Sequence, residues 1–238
     1  MCPHPNIAST AFLIADPARA SMLMALLDGR ALPAGELAYA AGVTAQTAST
    51  HLAKLLAGGL VAVEAEGRHR YYRLSGSHVA LVLENLASIT PMERPRGKPL
   101  GGEAQKLRFA RCCYDHLAGQ LGVAMTQALE RRGLIVAAAD KQFQITPEGI
   151  AWFGGIGLNV PELQPTRRGL ARQCLDWTER QHHLAGPLGV QWMNLMYTNG
   201  WLRRARATRA VQVTPQGWVW LKEQLGIEGR LGALAQDM

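Results

Sequence analysis

The sequence of 238 residues predicts a mainly α-helical fold with small β-wings (α+β), divided into two domains. Three observations predict it: short helical patterns followed by a strand pair in residues 1–90, a linker rich in proline and glycine over residues 91–103, and an internal repeat in residues 104–238. A composition of 48% hydrophobic and 18% charged residues is typical of a folded soluble protein. Each domain is long enough to bury its own core.

Composition excludes several classes of protein. No stretch approaches the roughly 18 apolar residues of a membrane-spanning helix, and the N-terminus MCPHPNIAST lacks the pattern of a secretory signal. We therefore expect a cytoplasmic protein with no membrane partner. Cys2, Cys112, Cys113 and Cys174 are too few for a disulfide framework, so we expect reduced thiols. A net charge of +7 permits a polyanionic partner without identifying one.

The first domain begins with three predicted helices. DPARASMLMALLDG (16–29) has apolar residues at helical spacing behind an Asp-Pro start, with Gly29 as the C-cap. LPAGELAYAAG (32–42) predicts a shorter helix that ends at Gly42, and VTAQTASTHLAKLLAGG (43–59) predicts a third with a threonine N-cap. The tight Gly-Val-Thr turn between the last two is typical of a helix-turn-helix unit.

The polar face of the third helix suits a DNA major groove. Glutamine can pair with an adenine edge, serine and threonine can reach bases or phosphates, and lysine can neutralise a phosphate. The face carries these residues, with His51 at its edge: Gln46, Thr47, Ser49, Thr50 and Lys54.

A basic β-hairpin is predicted directly after this helix. The stretch LVAVEAEGRHRYYRL (60–74) alternates in polarity and turns at Glu66-Gly67. Its tip carries Arg68, His69 and Arg70. Such a wing could lie along the DNA backbone or in the minor groove, and the whole unit is a winged helix-turn-helix.

The run GELAYAAGVTAQTASTHLAKLLAGGL and the wing GRHRYYRL resemble the arsenic-repressor (ArsR) family of bacterial transcriptional regulators over roughly residues 8–90. The resemblance implies a homodimeric repressor that binds double-stranded operator DNA at an inverted repeat and is released by an effector. It implies a dimer interface in residues 5–13 and 77–90. The DNA-binding set that it implies is Thr44, Gln46, Thr47, Ser49, Thr50, His51, Lys54, Arg68, His69 and Arg70.

The chain departs from metal-sensing members of that family. GELAYAAGV has no cysteine or histidine, and SHVALVLENLASI offers only His78 and Glu84, which lie on different faces of a helix. We therefore expect the effector to bind in residues 104–238, as in the long members of the family that carry an extra C-terminal region.

The second domain contains a repeat. HLAGQLGV (116–123) recurs as HLAGPLGV (183–190), and ITPEGIAW (145–152) recurs as VTPQGWVW (213–220). The copies span about residues 109–158 and 170–226, and they predict two helix/β-hairpin halves with a cleft between them as a natural ligand site. All six tryptophans lie in this domain.

Cysteine and histidine are the candidate ligands in these halves. Cys113 and His116 are three residues apart on a predicted helix, which places them side by side, with Cys112 and Asp115 adjacent. Cys174 and His183, near Asp176, are nine residues apart and would lie on opposite faces of a helix, so no matching second site is expected.

Other ligand combinations remain open. Glu179 with His182 or His183 is the substitute pair in the second half. A mixed site of Cys113, His116, Cys174 and His183 requires a fold that the sequence does not reveal.

Three interpretations of these residues remain open. The cysteines can be small core residues, with the aspartates and histidines satisfied by hydrogen bonds. Tryptophan and methionine can line an organic-effector pocket between the halves. The thiols can form a redox site or bind a soft divalent metal of the cadmium, lead or zinc kind. No cofactor is required, and a cysteine-dependent enzyme is disfavoured because no oxyanion or cofactor motif accompanies the thiols.

Overall fold

The computed structural model describes residues 6–66, 69–90, 102–205 and 208–229. These residues form two compact units that divide between Leu86 and Ala87. Helices and strands are mixed in both units, which confirms the α+β class. None of the helices in the described ranges is both long enough and apolar enough to cross a membrane.

The first unit packs helices against an antiparallel sheet with strand order β1-β3-β2. Its core consists of fully buried aliphatic side chains, among them Met22, Leu26, Leu37, Leu52 and Leu55. Its elements are α1 (Ile7–Ala15), α2 (Pro17–Ala25), β1 (Leu32–Pro33), α3 (Ala34–Ala41), α4 (Ala45–Ala57), β2 (Val61–Glu66), β3 (His69–Leu74) and α5 (Ser77–Ile89).

Local capping explains most helix ends in this unit. Asp16 caps α2 by accepting a hydrogen bond from the Arg19 N–H at 2.9 Å. Gly42 ends α3 with a left-handed φ of 64°, as predicted. The prediction of Gly29 as the C-cap of α2 is wrong: the helix ends at Ala25 and Leu26 is the C-cap.

The prediction that the second helix begins at Leu32 is also wrong. Leu32 and Pro33 pair with Tyr72 and Tyr71 as strand β1. The helix begins only at Ala34 because a residue that precedes a proline is driven out of the helical region.

The second unit contains the repeat. Each half consists of a hairpin, a long helix, a second hairpin and a final helix. The first half has β4 (Arg111–Cys113), β5 (His116–Ala118), α7 (Gly119–Arg131), β6 (Ile135–Ala138), β7 (Gln142–Ile145) and α8 (Pro147–Gly155), preceded by α6 (Gly102–Phe109). The second half has β8 (Arg172–Leu175), β9 (His182–Ala185), α9 (Gly186–Thr198), β10 (Leu202–Arg204), β11 (Val211–Val213) and α10 (Pro215–Leu225).

The halves are interlocked through their hairpins. In the four-stranded sheet β6-β7-β8-β9, Gln142 of the first half pairs with Arg172 of the second. The equivalent bridge on the other side joins Arg111 to Ala210. The first hairpin of each half therefore lies beside the second hairpin of the other half, over one continuous core.

Candidate functional site

One exposed stripe runs along α4. Gln46, Ser49, Thr50 and Lys54 line a shallow solvent-open surface together with Ala53 and Ala57. The spacing is that of a single helix face, and the opposite face buries Ala48, Leu52 and Leu55. The helix therefore presents hydrogen-bonding side chains outward, and the hydroxyls of Ser49 and Thr50 also donate to the carbonyls of Ala45 and Gln46 one turn earlier.

Thr44 and His51 lie differently from the rest of the expected DNA-binding set. The Thr44 hydroxyl accepts the N–H of Thr47 as the N-cap of α4. His51 turns toward α2, where its Nδ1 lies 3.7 Å from Asp16 Oδ1. The structure thus gives His51 an intramolecular contact rather than a place in the exposed stripe.

The wing is the antiparallel hairpin of β2 and β3, in which Glu66 pairs with His69. His69 and Arg70 are exposed on β3. Arg68 lies outside the described residues. Arg73 bonds Glu64 across the strands at 2.5 Å, so its charge is already paired.

A cluster of two cysteines and two histidines lies in the second unit. Cys113 pairs with His116 across β4 and β5, and Cys174 pairs with His183 across β8 and β9. The prediction that these segments are helical is wrong. The prediction that Cys174 and His183 form no matching second pair is therefore also wrong. Residues nine apart in the sequence lie opposite each other when a longer hairpin loop joins two antiparallel strands.

The ligand atoms of the cluster converge. All four lie within 4.8 Å of one another. The two Nε2 atoms of His116 and His183 are 3.1 Å apart, and the two sulfurs are 4.0 Å apart. Around one tetrahedral zinc ion, two imidazole nitrogens are about 3.3 Å apart and two sulfurs about 3.8 Å apart. These two separations differ from the zinc values by a few tenths of an ångström, whereas the nitrogen–sulfur distances extend up to 4.8 Å, against about 3.6 Å around zinc.

Three of the four side chains of the cluster are buried, and Cys174 is half-buried. His183 is fully buried, and Cys113 and His116 are 2% and 7% exposed. Beside it, between α7 and α9, residues that include Met125, Trp192 and Met196 line a void of only about 10 Å³. A single water fills such a space, so this void beside the cluster has no room for an organic molecule.

A larger opening lies at the surface of the same unit. Trp152, Trp201 and Trp220 line a solvent-open cleft of about 440 Å³, in which the rings of Trp201 and Trp220 stack at 4.2 Å. The side chains that line this cleft are three tryptophans, one isoleucine and two amides, none of which is charged.

Carboxylates stand behind both histidines. Asp115 Oδ1 lies 2.9 Å from His116 Nδ1, and Asp176 Oδ2 lies 3.5 Å from His183 Nδ1. Nδ1 of His116 is hydrogen-bonded to its carboxylate, whereas Nδ1 of His183 lies only within ion-pair distance of Asp176. A carboxylate behind Nδ1, with Nε2 directed into the cluster, is the usual outer support of a metal-binding histidine.

Asp176 also holds the halves together. It accepts hydrogen bonds from Arg111 Nη2 at 2.9 Å and from the Gly119 N–H at 2.7 Å. Burial alone would raise the pKa of Asp176, but the charges of Arg111 and His183 and the hydrogen bonds of Thr178 and Gly119 hold it well below 3.8. Asp176 is therefore an ionised group in a fully buried ion pair.

Two acidic neighbours set the pKa of His116. Burial alone would lower the pKa of His116, but the Cys113 thiolate and the Asp115 carboxylate outweigh burial and raise that pKa to about 10.

Comparison with known proteins matches the first unit to a helix-turn-helix family and finds a relative that is similar over both units. A family model described as a helix-turn-helix domain matches residues 14–64. The uncharacterized HTH-type transcriptional regulator YdfF of Bacillus subtilis (strain 168) is 44% identical over 225 residues, which is 94% of this chain and 99% of that protein. The chain belongs to the HTH-type transcriptional regulators. The resemblance seen in the sequence is thereby confirmed.

The regulator is also similar to shorter proteins. The HTH-type transcriptional regulator CmtR of Mycobacterium tuberculosis (strain ATCC 25618 / H37Rv) is 43% identical over 76 residues, 32% of this chain and 64% of that protein. Among solved structures, reduced HlyU from Vibrio cholerae N16961 is 31% identical over 34% of this chain and 83% of that chain, with a TM-score of 0.32. The cadmium metal-sensor CMTR from Mycobacterium tuberculosis is 36% identical over 40% and 98%, with a TM-score of 0.31.

Other expected effector residues of the regulator lie outside the cluster. Glu179 pairs with Arg108 at 2.9 Å, and His182 is exposed at the start of β9. The substitute pair of Glu179 with a histidine therefore does not form. The Cys112 thiol contacts the carbonyl of Tyr114, so it takes no part in the cluster.

Two glycines that sequence reasoning missed bring the histidines together. A Cβ on Gly122 would lie 2.6 Å from the Leu117 carbonyl oxygen, and one on Gly189 would lie 2.5 Å from that of Leu184. Because glycine has no Cβ, α7 can pack close to β5, and α9 can pack close to β9. The signal was available, because both glycines occupy the same place in the repeated octapeptide.

Proposed function

We propose that this regulator is a homodimeric repressor that binds operator DNA through α4 and the wing, and that an effector bound in its second unit changes its affinity for the operator. The observation that carries the proposal is the exposed polar stripe of α4, backed by a buried apolar face. That stripe supplies base-reading groups at Gln46, Ser49 and Thr50 and a phosphate-binding cation at Lys54.

Apolar side chains on the flanking helices support the dimer. On α1, Ile7 and Phe12 are 74% and 72% exposed, and on α5, Val82 and Ile89 are 48% and 77% exposed. Large apolar groups left in water on these helices favour a protein interface. Twofold pairing would present two copies of α4 to successive grooves of an inverted repeat.

The second unit supports control by an effector. It has its own core, and its similarity to YdfF extends over both units. An enzyme that used Cys113 as a nucleophile would need substrate space beside the thiol, and the void near the cluster has only about 10 Å³. A regulatory site fits this enclosure better than a catalytic one.

Binding of the full-length protein to DNA from upstream of its own gene tests the proposal. In modest salt, we expect it to bind this fragment about 10³-fold or more tightly than a scrambled fragment of equal composition. Equal affinity for both fragments would overturn sequence-specific regulation.

Sedimentation tests the dimer. The wild type should sediment as a dimer, and Phe12→Glu should yield a monomer with weak operator binding. A wild-type monomer with full operator affinity would refute the dimer.

A further inference from the structure

The four convergent side chains of the second unit have the composition of a complete metal site. Two thiols and two imidazoles are the ligands of tetrahedral zinc centres, whereas magnesium and calcium require oxygen ligands. The ligand atoms are already near tetrahedral spacing, with 3.1 Å between nitrogens and 4.0 Å between sulfurs. The nitrogen–sulfur distances, at up to 4.8 Å, would have to shorten by about 1 Å to close a tetrahedron around one ion.

Enclosure restricts the ligand further. The void beside the histidines has about 10 Å³, and Cys113, His116 and His183 are buried. An ion held by the four side chains would lie between them rather than in this void, so it needs no further space. Four protein ligands also leave no open coordination position for a substrate, which distinguishes such a site from a catalytic zinc centre.

The carboxylates behind the histidines complete the arrangement. Asp115 contacts Nδ1 of His116, and Asp176 lies within ion-pair distance of Nδ1 of His183. Both imidazoles therefore direct Nε2 inward, where the two Nε2 atoms lie 3.1 Å apart. One proton or one cation between them satisfies both rings.

We propose that Cys113, His116, Cys174 and His183 bind one divalent cation of the zinc and cadmium class in a tetrahedral site. The same cation is then the effector that changes operator affinity, a role that rests on the proposed function. Because each half contributes one cysteine and one histidine, the bound ion joins the two halves.

Metal titration of the full-length protein, stripped with a chelator and kept reduced, tests the site. We expect one Co²⁺ per chain with the absorption of tetrahedral thiolate ligation, displaced by Zn²⁺. Cys113→Ser and Cys174→Ser should weaken binding by about 100-fold or more. Cys112→Ser is the matched control, since its thiol lies on the same strand outside the cluster, and it should bind as the wild type does.

Three results would overturn the site: no stoichiometric binding, equal loss in the Cys112→Ser control, or full binding in a Cys113→Ser/Cys174→Ser double variant. X-ray absorption of the zinc-loaded wild type tests it without any variant. Two sulfurs at about 2.3 Å and two nitrogens at about 2.0 Å are expected, and an oxygen-dominated shell would refute the assignment. A different result would favour a thiol switch over the metal site: the protein takes up no metal, and mild peroxide oxidises Cys113 and Cys174 to a disulfide.

Operator binding separates the two proposals. Zn²⁺ should change operator affinity by about 5- to 150-fold in the wild type and in Cys112→Ser, and leave Cys113→Ser unchanged. One bound ion with unchanged operator affinity would refute the effector role while leaving repression intact. One bound ion in a protein that never binds its operator specifically would refute the proposed function and leave the site standing.

Discussion

His116 Nε2 lies 3.1 Å from His183 Nε2, although the two residues belong to hairpins of different halves. Each ring is brought there by a cross-strand cysteine partner and by a glycine of the facing helix: the Cβ of an alanine at Gly122 or at Gly189 would lie 3.6 Å from the Cβ of His183 or of His116. Because the histidine contact joins the two halves, a cation bound at the cluster as proposed would stabilise the second unit.

Zinc should stabilise the protein against heat. A ligand that binds only the folded state at 100 times its Kd adds about 2.7 kcal/mol to the free energy of unfolding. We expect the melting temperature of the wild type and of Cys112→Ser to rise with Zn²⁺ and to fall again when a chelator is added. A Cys174→Ser variant that gains the same stabilisation from zinc would contradict the prediction.

Replacing Gly122 with alanine should destabilise the second unit. The new Cβ would meet the Leu117 carbonyl oxygen at 2.6 Å, so α7 must move away from β5 at a cost of about 1–3 kcal/mol in the free energy of unfolding. Gly154→Ala is the control, since nothing lies within 4 Å of that position in α8. Urea unfolding should show a loss for the first variant and no loss for the control.

Loss of either partner of the buried Arg111–Asp176 ion pair should destabilise the second unit. Both side chains have no exposed surface, so Asp176→Asn leaves a buried guanidinium uncompensated at a cost of about 3–5 kcal/mol. Glu179→Gln is the comparison, because it breaks the partly exposed pair with Arg108 and should cost at most about 1 kcal/mol. Chemical denaturation of both variants checks the ranking, and equal losses would refute it.

Acid should weaken the second unit through Asp176. The folded pKa of this carboxyl lies below its ordinary value of 3.8. Its stabilisation is therefore complete above that value and is lost as the pH falls toward the folded pKa. Carbon NMR of the Asp176 carboxyl should show a titration midpoint below 3.8 in the folded protein. A midpoint at or above 3.8 would mean that the pair contributes no stability of this kind.

Variants of α4 should separate base reading from phosphate binding. Gln46→Ala with Thr50→Ala should reduce discrimination between operator and scrambled DNA by about 10-fold or more. Lys54→Ala should weaken binding to both fragments alike and reduce the salt slope by about 1. Gln144→Ala, an exposed glutamine in the second unit, should change neither quantity. Loss of discrimination in Lys54→Ala alone would reverse the assigned roles.

The first unit was predictable because its signals are local. Gly42 and Thr44 fix the helix-turn-helix turn through a left-handed residue and an N-cap, and the wing follows from alternation around Glu66-Gly67. The errors also have a local cause. Leu26 ended α2 before Gly29, since helix ends depend on which backbone carbonyls find partners as well as on glycine.

The cluster could not be predicted, because its geometry is non-local. Cys113 and His116 suit a helical turn as well as a two-residue hairpin, and the hairpin turn uses Tyr114 at a left-handed φ of 58°, which tyrosine does not signal. The meeting of Cys174 with His183 depends on strand pairing. The meeting of both pairs depends on how the halves pack, which the repeat alone does not specify.

The exchange of hairpins between the halves has a consequence for the history of this unit. Two identical short polypeptides that paired through Arg111–Ala210 and Gln142–Arg172 contacts would have built the same enclosure from one cysteine and one histidine each. The two halves of the present chain are not symmetric at this point. Asp115 is 47% exposed in its side chain while its counterpart Asp176 is sealed inside, so we expect substitutions at Asp115 to be tolerated better than substitutions at Asp176.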